Sequence, residues 1–150
     1  MKVVLIILGV LALLAIAAVG GGYWWWKQSG ADMIKDAAKA YGDARKAGAS
    51  LDEQACLDRG VAVLRTPEGQ SFGGAVRNNV VLKGCLETSK VVAPFCAGVP
   101  SEDNLVTQAT WQASACQKLG ASDSYCPQLM GEVVKYCVSP GRAAKVAKGN

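Results

Sequence analysis

The sequence predicts an all-α protein: a single N-terminal transmembrane helix followed by a small disulfide-stapled bundle of about four to five helices. Three observations lead there. Residues 3–26 carry no charged side chain, and all six cysteines lie beyond that run. Farther along, apolar residues recur at helical spacing, and no stretch sustains the period-2 alternation of a half-buried strand.

The apolar run is bracketed by Lys2 and Lys27 and ends in Tyr23-Trp24-Trp25-Trp26. At about 1.5 Å per residue it makes a helix of roughly 36 Å, enough to cross a hydrocarbon core of about 30 Å with some tilt. Tyr23, Trp24, Trp25, Trp26 and Lys27 then fall among the lipid headgroups, where rings with a polar edge and a terminal ammonium are favoured. A secretory signal is the competing reading, because Ala17-Ala18-Val19-Gly20-Gly21-Gly22 offers small residues for cleavage. The run exceeds the about 7–15 residues of a signal core, which favours an uncleaved anchor. Either way the remainder is exported. Ala17 with Gly21 and Ala18 with Gly22 have the spacing that lets two helices approach closely, which is compatible with a homodimer but common in membrane helices generally.

Four regions follow: a signal anchor with an aromatic belt at 1–27, an alanine-rich stalk or peripheral helix at 28–49, a cysteine-containing helical domain at 50–140, and a basic flexible tail at 141–150. Residues 31–47 are rich in alanine, with Asp and Lys at neighbouring helical positions; the apolar stripe of Ile34, Ala37, Tyr41 and Ala44 is narrow. Ser50-Leu51-Asp52-Glu53 has capping-box spacing, so a second helix is expected from there to about Arg65, carrying Cys56. Thr66-Pro67-Glu68-Gly69-Gln70 is a turn by composition. A third helix over 71–89 is expected to bury Phe72, Val76, Val80, Leu82 and Leu86, with Cys85 in its last turns. The stretch 91–100, holding Pro94, Cys96 and Pro100, is a connector. Ser101 then caps a fourth helix with Glu102 and Asp103 in its first turn, running through Leu105, Ala109, Trp111 and Ala113 to Cys116, and Gly120 stops it. Cys126, Leu129, Met130, Val133, Val134 and Cys137 place both cysteines on one apolar face of a fifth helix, which Pro127 opens and Pro140 ends.

Cys56, Cys85, Cys96, Cys116, Cys126 and Cys137 are even in number and all on the exported side, so three disulfides are expected in an oxidising compartment; spacing alone leaves the pairing open. The cysteines also orient the anchor, since charge does not: Lys2 faces Lys27, Asp32, Lys35 and Asp36 across it. Nine residues separate Cys116 from Cys126, a spacing that resembles the twin Cys-x9-Cys motif of mitochondrial helical proteins. Ten separate Cys85 from Cys96 and Cys126 from Cys137, and Gly120 breaks the helix the first pair would need, so no function is carried over.

Between Gln28 and Gly141, eleven Lys and Arg stand against twelve Asp and Glu, and a near-neutral domain has no electrostatic footprint for nucleic acid. The chain has no histidine. That removes Ser-His and Cys-His nucleophile pairs, imidazole zinc ligands and histidine-ligated haem. Ser89/Lys90 and Ser114/Lys118 are ordinary surface pairs. Asp52/Glu53 and Glu102/Asp103 are explained by helix starts, and Gly73-Gly74 lacks the lysine of a phosphate loop. No cofactor and no metal site is expected. Trp111 is the one tryptophan outside the belt, read as core filler or as an exposed anchor for a partner. Asn78 and Asn79 beside Arg77 and Lys83 are read as a solvated or recognition face. The functional expectation is a non-enzymatic domain serving binding or assembly in the cell envelope. It would be single-pass in the inner membrane, with its C-terminal domain in the periplasm, and its partners would be the lipid bilayer and an envelope protein or a second copy. An envelope thiol-disulfide oxidoreductase or redox sensor, and a secreted soluble factor, are the alternatives.

Overall fold

The computed structural model describes residues 9, 19–21, 23, 31–101, 103–121 and 124–149. Gly9, residues 19–21 and Tyr23 are helical; the rest of the expected anchor, including Trp24, Trp25, Trp26 and Lys27, lies outside the described residues. Among the described residues no helix is long and apolar enough to cross a membrane. The chain forms two compact units, 1–38 and 39–150.

Six helices carry the described structure: α1 (Ala31–Gly48), α2 (Glu53–Leu64), α3 (Phe72–Thr88), α4 (Leu105–Lys118), α5 (Cys126–Cys137) and α6 (Pro140–Ala147). Among the described residues the one ladder contact is an isolated bridge between Asp52 and Lys90, both outside the helices. The all-helical, disulfide-containing fold class holds.

Helix α5 is the hub, packed against α2, α3, α4 and α6. Its expected stripe is the centre of the core: Cys126, Leu129, Met130, Val133 and Val134 are buried, and Cys137 is half-buried. They meet Leu57, Val61 and Leu64 of α2 and Leu82 and Leu86 of α3. Fully burying a leucine or valine stabilises by about 1.5–3 kcal/mol, so this cluster is the main source of stability. Pro127 sits in the first turn of α5, where its missing N–H has no partner to lose. Gly120, at φ +61°, ends the α4 turn in the left-handed region that glycine tolerates.

Several expectations are corrected. The cap of α2 is Asp52, whose carboxylate accepts from Ala55 N, while Ser50 Oγ donates to Ala47 O at the end of α1. On α3, Phe72 and Val76 of the expected face point away from the core, Phe72 being 73% exposed and Val76 exposed, while Val80 is half-buried. The buried stripe is Ala75, Asn78, Leu82, Cys85, Leu86 and Ser89, because the Cys56–Cys85 bond and the α2 contact fix the rotation of the helix. The fourth helix is capped by Asn104, which accepts from Thr107 N; Ser101 lies three residues earlier and its carbonyl accepts from Gln108 Nε2. Leu105, at the start of that helix, is exposed. Pro140 lies just beyond the end of α5, as expected, but it also opens a further helix, and the basic segment expected to be a flexible tail is helical over Pro140–Ala147, capped by Ser139. Helix α1 is peripheral from Lys39 onward: Ala40, Ala44 and Gly48 are buried, and a Cβ on Gly48 would stand 2.3 Å from Cys85 O.

Candidate functional site

All six cysteines are paired: Cys56–Cys85, Cys96–Cys137 and Cys116–Cys126. The first staples α2 to α3 and the third closes the α4–α5 turn across a separation of 10 residues. Both are sealed, each of their four cysteines being at most 5% exposed. Cys96 and Cys137 differ. Both are half-buried, and Cys96 lies in the non-helical connector rather than on a helix. So α5 does carry Cys126 and Cys137 on one face, but it directs them to different partners, one at each end.

The most polar part of the interior is centred on Glu53. Glu53 is 0% exposed, and its carboxylate takes three hydrogen bonds from Arg142 and Val92. Arg142 Nε donates to Oε1 at 2.8 Å, Arg142 Nη2 to Oε2 at 3.4 Å and Val92 N to Oε2 at 2.8 Å. Backbone bonds register the carboxylate: Lys90 N donates to Leu51 O and Glu53 N to Lys90 O, tying the start of α2 to the end of α3. Lys145 Nζ donates to Leu86 O at 2.9 Å and to Tyr136 Oη at 3.0 Å. The Tyr136 phenol is held well above its ordinary range, first by burial and then by hydrogen bonding and charge from Glu53; burial pulls the Lys145 ammonium down. The arrangement locks α6 and the connector onto α2. Its groups satisfy one another, and that is the chemistry of a structural latch. A carboxylate assigned by sequence to a helix-dipole role is thus the buried centre of a network. The missed signal was Arg142 and Lys145, three apart beside a capping serine, the spacing of one helix face.

A surface groove of about 430 Å³ runs between α3 and α5 and is lined by Asn79, Lys83, Glu87, Glu132, Lys135 and Tyr136. Lys135 is bridged to Glu132 at 2.7 Å, and Glu87 accepts from Tyr41 and pairs with Arg45 at 3.9 Å. Both signs of charge alternate along it, which suits a polar segment of protein better than an anionic polymer. Asn79 faces this groove, but Asn78 does not belong to a recognition face: it is buried and its Nδ2 donates to Gly60 O at 2.8 Å, joining α3 to α2. Trp111 is half-buried and packed against the core. Among the described residues no group of three or more carboxylates or thiols is arranged to hold a metal.

Compared with known proteins, the chain matches no family model, no curated protein and no solved structure.

Proposed function

We propose that this chain is a non-enzymatic, single-pass membrane protein of the bacterial inner membrane whose helical domain stands in the periplasm and works by binding or assembly. The observation that carries the reading is the pairing of a charge-free run, residues 3–26 ending in three tryptophans, with a domain in which every cysteine is oxidised. Disulfides persist where the compartment is oxidising, so the domain belongs on the far side of the membrane that the run crosses. A latched, stapled, near-neutral domain suits presenting a fixed surface to a partner. The groove between α3 and α5 is the surface assigned to that contact, with Lys83, Glu132 and Lys135 as its polar anchors.

The test is the intact mass of the protein purified from membranes without reductant, together with protease digestion of intact and osmotically opened cells. A full-length mass short by six hydrogens, with digestion of the domain only once the outer envelope is opened, is the expected result. A mature chain beginning near Tyr23 and recovered without membranes would replace the anchor by a signal peptide and make the protein a secreted factor. A reduced domain protected until the cytoplasm is opened would overturn both. Loss of crosslinking to envelope proteins in Lys83→Glu and Lys135→Glu, with the fold unchanged, is the result expected for the groove.

A further inference from the structure

We propose that Cys96–Cys137 is an exchangeable cystine through which a dithiol partner, of the Cys-x-x-Cys class, releases the segment 93–101 while the other two cystines hold the helical core. The proposal does not depend on the membrane anchor.

Access separates the three bonds. Thiol-disulfide exchange needs a thiolate to reach a sulfur, and burial blocks that approach. Cys56 and Cys85 are 2% and 5% exposed, and Cys116 and Cys126 are 5% and 0%, whereas Cys96 and Cys137 are both half-buried. The surroundings of Cys96 point the same way. No residue of 93–101 is buried, and its backbone bonds are local turns: Phe95 N to Val92 O, Ala97 N to Pro94 O and Val99 N to Cys96 O. Gly98, at φ +76°, makes a bend that a side chain would strain. Besides the cystine, this stretch is tied to the rest of the domain by the edge contact of Phe95 on the Tyr136 ring and by Gln108 Nε2 on Ser101 O.

The two ends of the segment are fixed independently of the cystine. Val92 N is held by the Glu53 carboxylate at 2.8 Å, and Asn104 caps α4. Opening the bond therefore frees a loop between two anchored points. The Glu53–Arg142 pair keeps α6 in place, Cys56–Cys85 holds α2 to α3, Cys116–Cys126 holds α4 to α5, and the packing of α5 on α3 joins the two pairs. What the loop gives up is the edge contact of Phe95 on Tyr136, so the Phe95 ring becomes available to a partner in the reduced state.

The exchange balances. A thiolate of the partner attacks one sulfur of the cystine, forming a mixed disulfide and expelling the other cysteine as a thiolate, which takes a proton. The partner's second thiol then displaces the remaining cysteine. Two electrons and two protons pass to Cys96 and Cys137, and the partner closes to its own disulfide.

The experiment titrates the full-length protein, in mild detergent, with limiting dithiothreitol, quenches by alkylation and maps labelled cysteines by peptide mass. In parallel, amide exchange is followed by mass spectrometry. Cys96 and Cys137 are expected to label about tenfold or more ahead of the other four. Exchange over 93–101 should then rise about tenfold while α2 and α3 keep their protection. Cys96→Ser/Cys137→Ser should show the same local rise without reductant and unchanged helical circular dichroism. Simultaneous opening of all three cystines, earlier opening of either sealed one, unchanged exchange over 93–101 after labelling, or loss of helicity in the double variant would each overturn the proposal.

Discussion

Removing the guanidinium of Arg142 should unfold this domain more readily than any change to its surface charges. Arg142 is 12% exposed at its side chain and Glu53 0%, and Nε stands 2.8 Å from the carboxylate. At an effective dielectric of about 20, two unit charges about 3 Å apart attract by roughly 5 kcal/mol, and desolvation of both groups offsets much of that gain in the intact pair. The offset works the other way once Arg142 is gone. Glu53 stays buried, its desolvation is already spent, and its remaining support is the Val92 amide at 2.8 Å, the neutral Tyr136 phenol and the more distant charge of Lys145. Arg142→Ala should therefore cost about 3 kcal/mol, the lower end of the range for stranding a buried charge. Lys39→Ala is the control. It breaks a pair at a similar 2.9 Å, but with side chains 77% and 55% exposed, and it should cost no more than about 0.5 kcal/mol. Glu53→Gln keeps an acceptor for Val92 N and discards the charge, so the double variant Glu53→Gln/Arg142→Ala should be more stable than Arg142→Ala alone. Urea unfolding of the oxidised full chain, followed by far-ultraviolet circular dichroism, measures all four. If Arg142→Ala falls within about 0.5 kcal/mol of the parent, or if the two substitutions merely add, the latch contributes nothing and the reasoning fails.

Three other measurements test the packing and the ionisation of the core. Leu86→Ala, at a side chain 0% exposed, should cost about 2–5 kcal/mol in the same denaturation assay, while Phe72→Ala, at one 73% exposed, should stay within about 0.5 kcal/mol. Two glycines of α3 should respond with opposite sign. Gly73→Ala meets nothing within 4 Å and should stabilise by about 0.5–1 kcal/mol through helix propensity; Gly84→Ala would put a Cβ 2.8 Å from Tyr41 O and 3.0 Å from its ring, and should destabilise despite the same propensity gain. Tyr136, whose phenol is raised above the ordinary 10.0, makes stability fall with pH. Below about pH 10 both states keep the proton; above it the unfolded phenol ionises and the folded one does not, so stability drops by up to about 1.4 kcal/mol per pH unit. Lys145, lowered from 10.5, acts in the opposite direction just below that value. Tyr136→Phe should therefore flatten the decline seen above pH 10 in a pH series of urea midpoints, and an unchanged slope would remove Tyr136 from the account.

Helix α5 was legible because its information is local: one face repeats six apolar residues within twelve, Pro127 marks its start, and burial follows the repeat. The α3 face was not, because its sequence supports two rotations. Phe72, Val76 and Val80 form a respectable stripe with larger side chains than Ala75, Asn78 and Cys85. What selects the second stripe is long-range: the bond to Cys56, Asn78 on Gly60 O, and the approach of α1, where Gly84 leaves room for Tyr41. Glycine lowers helix propensity, yet Gly74 and Gly84 serve this helix. Each has a backbone oxygen where a side chain would go, Glu68 O at 1.8 Å and Tyr41 O at 2.8 Å, so they are the condition for the helix to pack and not a weakness in it. The cystines divide in the same way: their number follows from composition, their pairing only from the fold.

The basic C-terminal segment shows why a local rule misleads when its partner is remote. Read by itself, 141–150 has few apolar groups to bury and a net positive charge, the composition of a solvated end. Glu53, read by itself, stands in the first turn of a helix, where a carboxylate is favoured by the dipole and asks for no further partner. Each reading is complete at its own position, and nothing within a few residues of either contradicts it. They are resolved only across a separation of 89 residues, where the carboxylate that needs no partner in water becomes one that must have a partner in the interior, and the arginine that had no reason to order supplies it. The order of α6 is therefore a consequence of the burial of Glu53. Variants that expose or neutralise Glu53 should loosen α6 even though they change none of its own residues, which amide exchange over Pro140–Ala147 in Glu53→Gln would register as lost protection while α5 retained its own.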